Sequence, residues 1–549
     1  MNDKERKAFQ QTLQGLKNFV LADGTVDLRE TTAMLGLVKP FADVDPDCAA
    51  LVKELELVNA DGKVTAEESK SIAALVESLV AHAGAERTGL VYGIEDRPPF
   101  FEALFAALQH LLAIFVAIIT PPLLIANGLK IPSDTASGLK VRGFLISMAL
   151  VASGICTFVQ CRRLGPIGSK LLCVQGTSFQ FIGPLIGVGL VGQQMASANG
   201  ATAESVVWGL PLIFGCCIAA APAEMVAAFL FKRLRKIITP LVSGIVVTLI
   251  GLSLVRAGIV SCCGGYYVME KLPDQFASWQ NLTIAGSVLL TIVFFNCFKN
   301  RFVRMSSVVF GIALGYVLAA MFGILQFKPE LGVSVPRPFC WGIRFDLGSI
   351  IGLAVVYFIT SLEAAGDITA NSMISGLSIN DQSYHARIRG GVLADGVNSA
   401  IAGVFNSFPN SIFAQNNGLI QLTGVASRYV GYFIAGMLVL LGLFVGNLFS
   451  TMPDPVLGGA TLLMFGMVAA AGIRIIASQP IGRKESLVLA LAFGAGLGIE
   501  LCPTTMIGDT PVPWVLCHMP QLVRSVFSSG LVTGGVVAIL ANAFIRIKE

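Results

Sequence analysis

From Phe100 almost to the C-terminus, apolar runs follow one another, each long enough to cross the hydrocarbon core of a bilayer. Hydrophobic residues make up 54% of the chain and charged residues 13%, which argues against a soluble protein of 549 residues. Because helices satisfy their own backbone polar groups in lipid, the runs predict an all-α polytopic membrane protein with fourteen transmembrane spans. The predicted spans are 102–125, 141–161, 171–195, 204–231, 237–257, 281–298, 303–326, 348–371, 388–405, 407–424, 428–449, 454–477, 485–500 and 521–545.

Short clusters of Lys and Arg fall in alternate loops between these spans, as in the runs at 162–170, 232–236 and 299–304. The positive-inside rule then predicts that both termini are cytoplasmic and that the protein spans an inner or plasma membrane many times. Net charge is only +4, and no basic run is interleaved with aromatic residues. We therefore expect the lipid bilayer, and no nucleic acid, among its partners.

Residues 1–96 are polar and predict a separate small helical cytoplasmic module with no cleavable signal peptide. Two copies of an Ala-Asp-Gly turn, at 22–27 and 60–65, are each followed by a Glu at the spacing of half an EF-hand loop. Each copy lacks the opening carboxylate, because Phe19 and Leu57 stand there, and calcium binding stays open. The module also weakly resembles the tellurite-resistance-B-like helical domain, so a regulatory or assembly role is the plain interpretation.

Two spans, the third and the tenth, are interrupted by polar residues and glycine, at 174–184 and at 406–428. Polar backbone at bilayer depth is costly unless it is buried in protein or lines a cavity. The two spans occupy the same position in each set of seven. Paired broken segments in two halves are typical of inverted-repeat transporters, so the sequence predicts a binding site for a small polar molecule here.

Acidic residues lie inside the eighth and ninth spans. Glu363 and Asp367 are four residues apart on one helical face, and Asp395 follows in the next span. An acid at this depth is a candidate functional residue, and burial with mutual repulsion favours binding of a proton. We therefore interpret Glu363, Asp367 and Asp395 as proton-coupling or network residues. The alternative for each is an acid that only caps a broken helix or pairs with a neighbour.

The tenth span contains Gln415 and Asn416, whose amides offer a donor and an acceptor in one side chain. That pair complements the lactam or imide edge of a planar heterocycle, and a carboxylate beside it can accept two N–H bonds. In the third span, Phe179 could stack on the ring, with Ser178 beside it. In the first span, His110 is either a core residue whose hydrogen bonds are satisfied or a member of a hydrogen-bond network at the binding site. Helix packing is the alternative for the amides and for Phe179.

Four ordered motifs resemble those of the nucleobase-ascorbate transporter family, also called nucleobase-cation symporter family two. Its signature is matched by Gln415-Asn416-Asn417-Gly418, four further residues and Thr423-Gly424. Leu-Gln-His at 108–110, Gln-Gly-Thr-Ser-Phe at 175–179 and Glu-Ala-Ala-Gly-Asp at 363–367 agree in order. The resemblance covers about 100–545, which identifies this range as a purine permease membrane domain. The N-terminal module is outside the usual family pattern.

The resemblance implies two inverted repeats of seven spans, with spans one to four and eight to eleven as a core domain and the others as a gate domain. It implies that Glu363 and Gln415 hold the base while Phe179 stacks nearby, and that the residues at Asp395, His110 and Asn416 serve transport or tune the site. It also implies a homodimer, a co-transported proton and no bound cofactor or metal. Gln at the first signature position resembles the xanthine and uric acid carriers of the family.

The sequence therefore predicts a transporter, not an enzyme: a proton symporter that imports xanthine, uric acid or both by alternating access. A uracil or pyrimidine permease of the same family stays an alternative. A membrane sensor that signals through its N-terminal module is an alternative of another class. The acids at 363, 367 and 395 argue against an anion carrier of the same architecture.

Overall fold

The computed structural model describes residues 28–41, 46–61, 64–65, 68–69, 71–72, 76, 90–132, 135–200, 208–234, 239–298, 300, 303–304, 306–325, 333–379, 382–507 and 510–545. These residues divide into two compact units. The first comprises Met1–Gly93 and Ser372–Ile379, and the second comprises Ile94–Asn371 and Asn380–Glu549.

In the first unit, the structure gives the bounds of two α-helices, α1 at Leu28–Val38 and α2 at Pro46–Asp61. They bury an apolar face that includes Met34, Leu51 and Leu55. The predicted turn at 22–27 lies outside the described residues. At the second copy, Glu68 Oε2 accepts hydrogen bonds from Thr65 N and Thr65 Oγ1, at 2.8 and 2.7 Å. This carboxylate therefore caps a helix start in the way a capping box does.

The second unit is mostly helical, as the apolar runs predict, and helical elements occupy each predicted span. Its first half contains α3 Phe100–Gly128, α4 Ala136–Arg162, β1 Gln175–Thr177, α5 Ile182–Ala198, α6 Leu210–Ala220, α7 Pro222–Leu234, α8 Pro240–Cys262, α9 Gly265–Lys271, α10 Trp279–Asn296 and α11 Ser307–Met321. Its second half contains α12 Leu347–Ile374, α13 Gln382–Val404, β2 Asn410–Ile412, α14 Ala414–Thr423, α15 Arg428–Phe444, α16 Asp454–Ile476, α17 Arg483–Leu501, β3 Thr504–Ile507, β4 Thr510–Pro513, α18 Gln521–Phe527 and α19 Gly530–Phe544.

Eight helical segments in the described part of the chain are long and apolar enough to cross a membrane, and three shorter helices are also apolar. The predicted fourth span is divided at Pro222, where α7 begins directly after α6. A proline at the first position of a helix has no N–H to lose there, so the chain restarts a helix at little cost.

The all-α expectation omits two short antiparallel sheets. One joins β3 to β4 as a hairpin between α17 and α18. The other joins β1 to β2, with Gln175 opposite Ile412 and Thr177 opposite Asn410. Strand pairing at the two predicted breaks satisfies backbone groups that the interrupted helices leave free. The breaks in the third and tenth spans are therefore observed, and they meet.

The chain that leads into α3 is fixed to the start of α15. Glu95 Oε2 accepts from Arg428 Nη2 at 2.7 Å, and Glu95 Oε1 lies 2.9 Å from Lys170 Nζ. Arg428 N donates to Ile94 O, and Ser427 Oγ donates to Asp96 O. Partial burial raises the pKa of Glu95, but the hydrogen bonds from Arg428 and Lys170 outweigh it, so the pKa is lowered overall.

We expect Glu95→Gln to lower the stability of the purified protein by about 1 kcal/mol or less at neutral pH. The effect is small because the Glu95 side chain is 55% exposed. A lowered folded-state pKa stabilises the fold above the ordinary glutamate value of 4.5, and this stabilisation disappears as pH falls through the folded-state pKa. The Tm difference between wild type and variant should therefore vanish at acidic pH. Asp274→Asn, which removes an exposed acid elsewhere, is the matched control for the loss of one negative charge.

Candidate functional site

The two broken segments bring the N-termini of two half-helices together. Beyond the β1–β2 pair, Ser178 N donates to Pro409 O at 2.9 Å, and Phe413 N donates to Val174 O at 3.0 Å. A Cβ at Gly176 would lie 2.3 Å from the Phe413 ring, so this close approach requires glycine. Helices α5 and α14 both start from this crossing, and helix N-termini carry partial positive charge. The crossing suits a polar or anionic ligand group.

Asp395 is the centre of a buried hydrogen-bond network at this crossing. Its Oδ1 accepts from Gln160 Nε2 on α4 at 3.0 Å and from Gln175 Nε2 on β1 at 2.5 Å. Its Oδ2 accepts from Ser411 Oγ on β2 at 3.2 Å. The side chain is completely buried. Since an ionised carboxylate is an acceptor only, three donors match the charged form and fix α13 to both broken segments.

Gln415 opens α14 with an exposed side chain, and its amide makes no hydrogen bond in the described part of the chain. Gly418 lies one turn later, and a Cβ there would meet no atom within 4 Å. On α12, Glu363 is half-buried with no hydrogen bond among the described residues, and Gly366 likewise borders open space. On each helix, a polar side chain that makes no hydrogen bond, called unengaged below, therefore lies near a glycine that borders open space.

Asparagines hold these two helices side by side. Asn417 Nδ2 donates to Asp367 O at 3.2 Å, and Asn371 Nδ2 donates to Asn417 Oδ1 at 3.0 Å. Asp367 itself is half-buried, and its Oδ2 has no hydrogen-bond partner in the described structure. The Asn417–Asp367 contact lies about one turn from Gln415 and from Glu363, so the unengaged side chains stand on neighbouring helix segments.

Asn416 and His110 are bound to each other, and both are completely buried. His110 Nδ1 lies 2.9 Å from Asn416 Oδ1, while Asn416 Nδ2 donates to Leu172 O at 2.5 Å. The amide oxygen only accepts, so Nδ1 of His110 is the donor. The sequence predicts Asn416 as a substrate contact; in the structure its amide makes two hydrogen bonds within the protein. His110 is likewise bonded to a protein group through Nδ1.

Phe179 is half-buried and belongs to an aromatic cluster. Its ring stacks on Phe413 with centroids 6.4 Å apart, and it meets the edge of Phe465 on α16 at 5.8 Å. Next to it, Ser178 is buried and its backbone pairs with Pro409. Gln180 Oε1 accepts from Thr360 Oγ1 at 2.8 Å, which joins the start of α5 to α12. Phe179 therefore has one apolar neighbour from the crossing and one from α16.

The structure adds residues that the sequence reasoning did not single out. Gln160 carried no sequence signal that distinguishes it from a packing residue. Gln175 and Ser411 lay inside the two polar breaks, at 174–184 and 406–428, and Glu224 is an acid inside an apolar span. These three could have been found by the rule that polar groups at bilayer depth need partners.

The model of the Permease family, Xan_ur_permease, matches residues 101–505. The chain belongs to the nucleobase-ascorbate transporter family. It is 43% identical to the xanthine permease XanP of Escherichia coli (strain K12) over 467 residues, which cover 84% of this chain and 95% of the relative. It is 32% identical to the uric acid permease PucJ of Bacillus subtilis (strain 168), over 82% of this chain and 94% of the relative.

The fold of this nucleobase-ascorbate transporter is similar to that of the murine anion transporter Slc26a9 in the inward-facing state. The TM-score is 0.51 at 12% identity, over 89% of this chain and 75% of that one. Family membership makes the protein a multi-pass membrane permease and not an enzyme.

The structure shows what the residues of the family signature do in and around α14. Gln415 and Gly418 form the open face of α14, while Asn416 and Asn417 tie that helix to its surroundings. Gly424, the last signature residue, ends α14 with φ 72°, in the left-handed region that favours glycine. The signature therefore specifies one exposed amide and the frame that holds it.

Proposed function

We propose that this permease is a secondary-active symporter that imports xanthine, uric acid or both together with protons, by alternating access. The observation that carries the proposal is the pair of unengaged polar side chains, Gln415 and Glu363, on neighbouring helix segments at the crossing. The surrounding amides of Asn416 and Asn417 are held in hydrogen bonds within the protein. The pair is thus available to a ligand.

The chemistry of the pair fits a purine-2,6-dione. The Gln415 amide can donate to a ring carbonyl and accept from the adjacent N–H, while the Glu363 carboxyl accepts N–H bonds from another edge. Phe179 supplies an aromatic face. The xanthine permease XanP and the uric acid permease PucJ both support a purine as the substrate class.

The proposed coupling between proton and purine depends on the charges of the substrate and of Glu363. Urate is carried as an anion, so an ionised Glu363 would repel it, and protonation of Glu363 before or with binding removes that penalty. Substrate and proton then favour each other's binding by the same free energy, which is the thermodynamic basis of symport. The core domain then moves against the gate domain and releases both on the other side.

The setting we propose is an inner or plasma membrane, with seven-plus-seven inverted spans and both termini in the cytoplasm. Two copies pair through their gate domains, as the family resemblance implies. The cycle needs no cofactor beyond the co-transported proton.

We expect Gln415→Ala to reduce uptake of the preferred purine by about 30-fold or more, because two ligand hydrogen bonds are lost. The measurement is uptake of radiolabelled xanthine and urate by cells that express the chain, with and without a protonophore. The matched control is Gln421→Ala, which removes another exposed amide of α14. If wild type takes up neither purine, or if uracil but not xanthine blocks uptake, the results would favour the alternative of a uracil or pyrimidine permease.

A further inference from the structure

Glu224 is an acid inside the predicted fourth span, in the first turn of α7. Its side chain is completely buried, and neither Oε1 nor Oε2 has a hydrogen-bond partner in the described part of the chain. A carboxylate that is shielded from solvent and receives no hydrogen bond from the protein is costly to keep ionised. A bound proton removes the charge that causes this cost.

Glu224 lies against the helix that contains Asp395. A Cβ at Gly396 would lie 2.8 Å from Met225 Cγ and 3.0 Å from Met225 N, so the two helix backbones touch at this point. Gly396 directly follows Asp395, and Met225 directly follows Glu224. Glu224 interacts electrostatically with Asp395 and with Glu363. The closely packed helices thus hold two buried acids within each other's field.

The two acids differ in what surrounds them. Asp395 receives hydrogen bonds from three side chains, those of Gln160, Gln175 and Ser411, whereas Glu224 receives none in the described structure. Two negative charges at short range in a medium of low dielectric repel each other strongly. The favoured state of the Asp395–Glu224 pair therefore has one carboxylate ionised and the other protonated. The donors at Asp395 stabilise the charge there, which leaves the proton for Glu224.

Other titratable or charged groups lie near Glu224 or α7. Asp395 and Arg389 are on α13, which packs on α7. Glu363 and Tyr357 on α12 interact electrostatically with Glu224, and Tyr357 in turn donates to the carbonyl of Cys217 on α6. The Arg389 guanidinium stacks on the Phe229 ring of α7 at 4.3 Å, more than a turn from Glu224. No cation among the described residues forms an ion pair with Glu224.

We propose that Glu224 is a proton-binding site of the transport cycle, which holds the co-transported proton while the core moves and the negative charge stays on Asp395. The O–H bond forms at the Glu224 carboxyl as purine and proton load, and it breaks when the proton leaves to water on the releasing side. Glu363 contacts the purine and links proton entry to purine binding, whereas Glu224 does not touch the purine. This inference rests on the proposed function and names a second carboxyl that serves it.

The test is Glu224→Gln in the full chain, purified and placed in proteoliposomes with a pH-sensitive dye inside. Gln has the shape of the protonated acid, so xanthine or urate exchange across the membrane should continue with an unchanged KM. Accumulation driven by an imposed pH gradient, and the dye signal that accompanies purine entry, should be lost. Together these readouts separate a proton site from a packing residue, because a packing defect would lower exchange as well.

Purine-coupled proton entry in Glu224→Gln equal to that of wild type would overturn the inference while leaving the proposed function intact. If wild type itself showed no proton entry with purine, the coupled function would fail and this inference with it. Should the Gln variant fail to insert, Glu224→Asp decides the question. A shifted pH profile of accumulation with unchanged KM would support the site, and an unchanged profile would overturn it.

Discussion

Glu363→Gln permease in proteoliposomes should exchange purine across the membrane but fail to accumulate it against a gradient. Glu363 is half-buried and has no hydrogen bond among the described residues, so its carboxyl is available to both purine and proton. The amide of Gln is permanently neutral, which removes the charge change that would link proton to purine in the proposed symport. We also expect KM to rise about tenfold, because one acceptor oxygen becomes a donor toward the ring N–H.

The measurement compares counterflow of labelled purine with accumulation under an imposed pH gradient. Glu363→Asp serves as the matched variant, since it keeps a titratable carboxyl but withdraws it by about one carbon–carbon bond length. It should retain proton-driven accumulation at reduced affinity. Full accumulation by Glu363→Gln would show that Glu363 does not link proton entry to purine binding, and loss of exchange together with accumulation would indicate a binding role only.

The positions of the apolar helices and of the two breaks could be predicted because each is a local property of the sequence. Apolar runs specify helices, and the polar runs near Gln175 and Gln415 violate that rule at matching places. Gln415 and Glu363 followed from the same logic, since polar groups at bilayer depth need a reason to be there. The structure leaves both side chains unengaged.

Contacts between distant parts of the chain could not be predicted in this way. The pairing of Gln175 with Ile412 depends on how the two halves pack, which no local pattern encodes. For the same reason, adjacent amides in one motif acquired different roles: Gln415 is exposed, while Asn416 is bound to His110 and to Leu172 O. Helix geometry separates neighbouring residues by about 100° around the axis, so only one of the two can point to the open side.

Asp395→Ala should destabilise the permease by roughly 3–5 kcal/mol, because it removes the common acceptor of three buried donors. Gln175 Nε2 would lose its observed partner, and Gln175 Oε1 already has none in the described structure. Since Gln175 and Ser411 lie on β1 and β2, the loss loosens the crossing that positions α5 and α14. Transport should fall with stability. Ser153→Ala on α4 is the matched control, as its buried hydroxyl has no partner among the described residues.

Asp395→Asn separates the charge of this side chain from its geometry. The Asn oxygen can accept from both glutamines, and its NH₂ group can donate to Ser411 Oγ in place of accepting from it. Thermal unfolding of the purified variant should therefore stay much closer to wild type than that of Asp395→Ala. If proton-driven accumulation is nevertheless lost, the negative charge itself is required, as expected when Asp395 holds the charge beside a protonated neighbour. Wild-type accumulation by Asp395→Asn would reduce its role to hydrogen bonding, and a fully stable Asp395→Ala would remove even that.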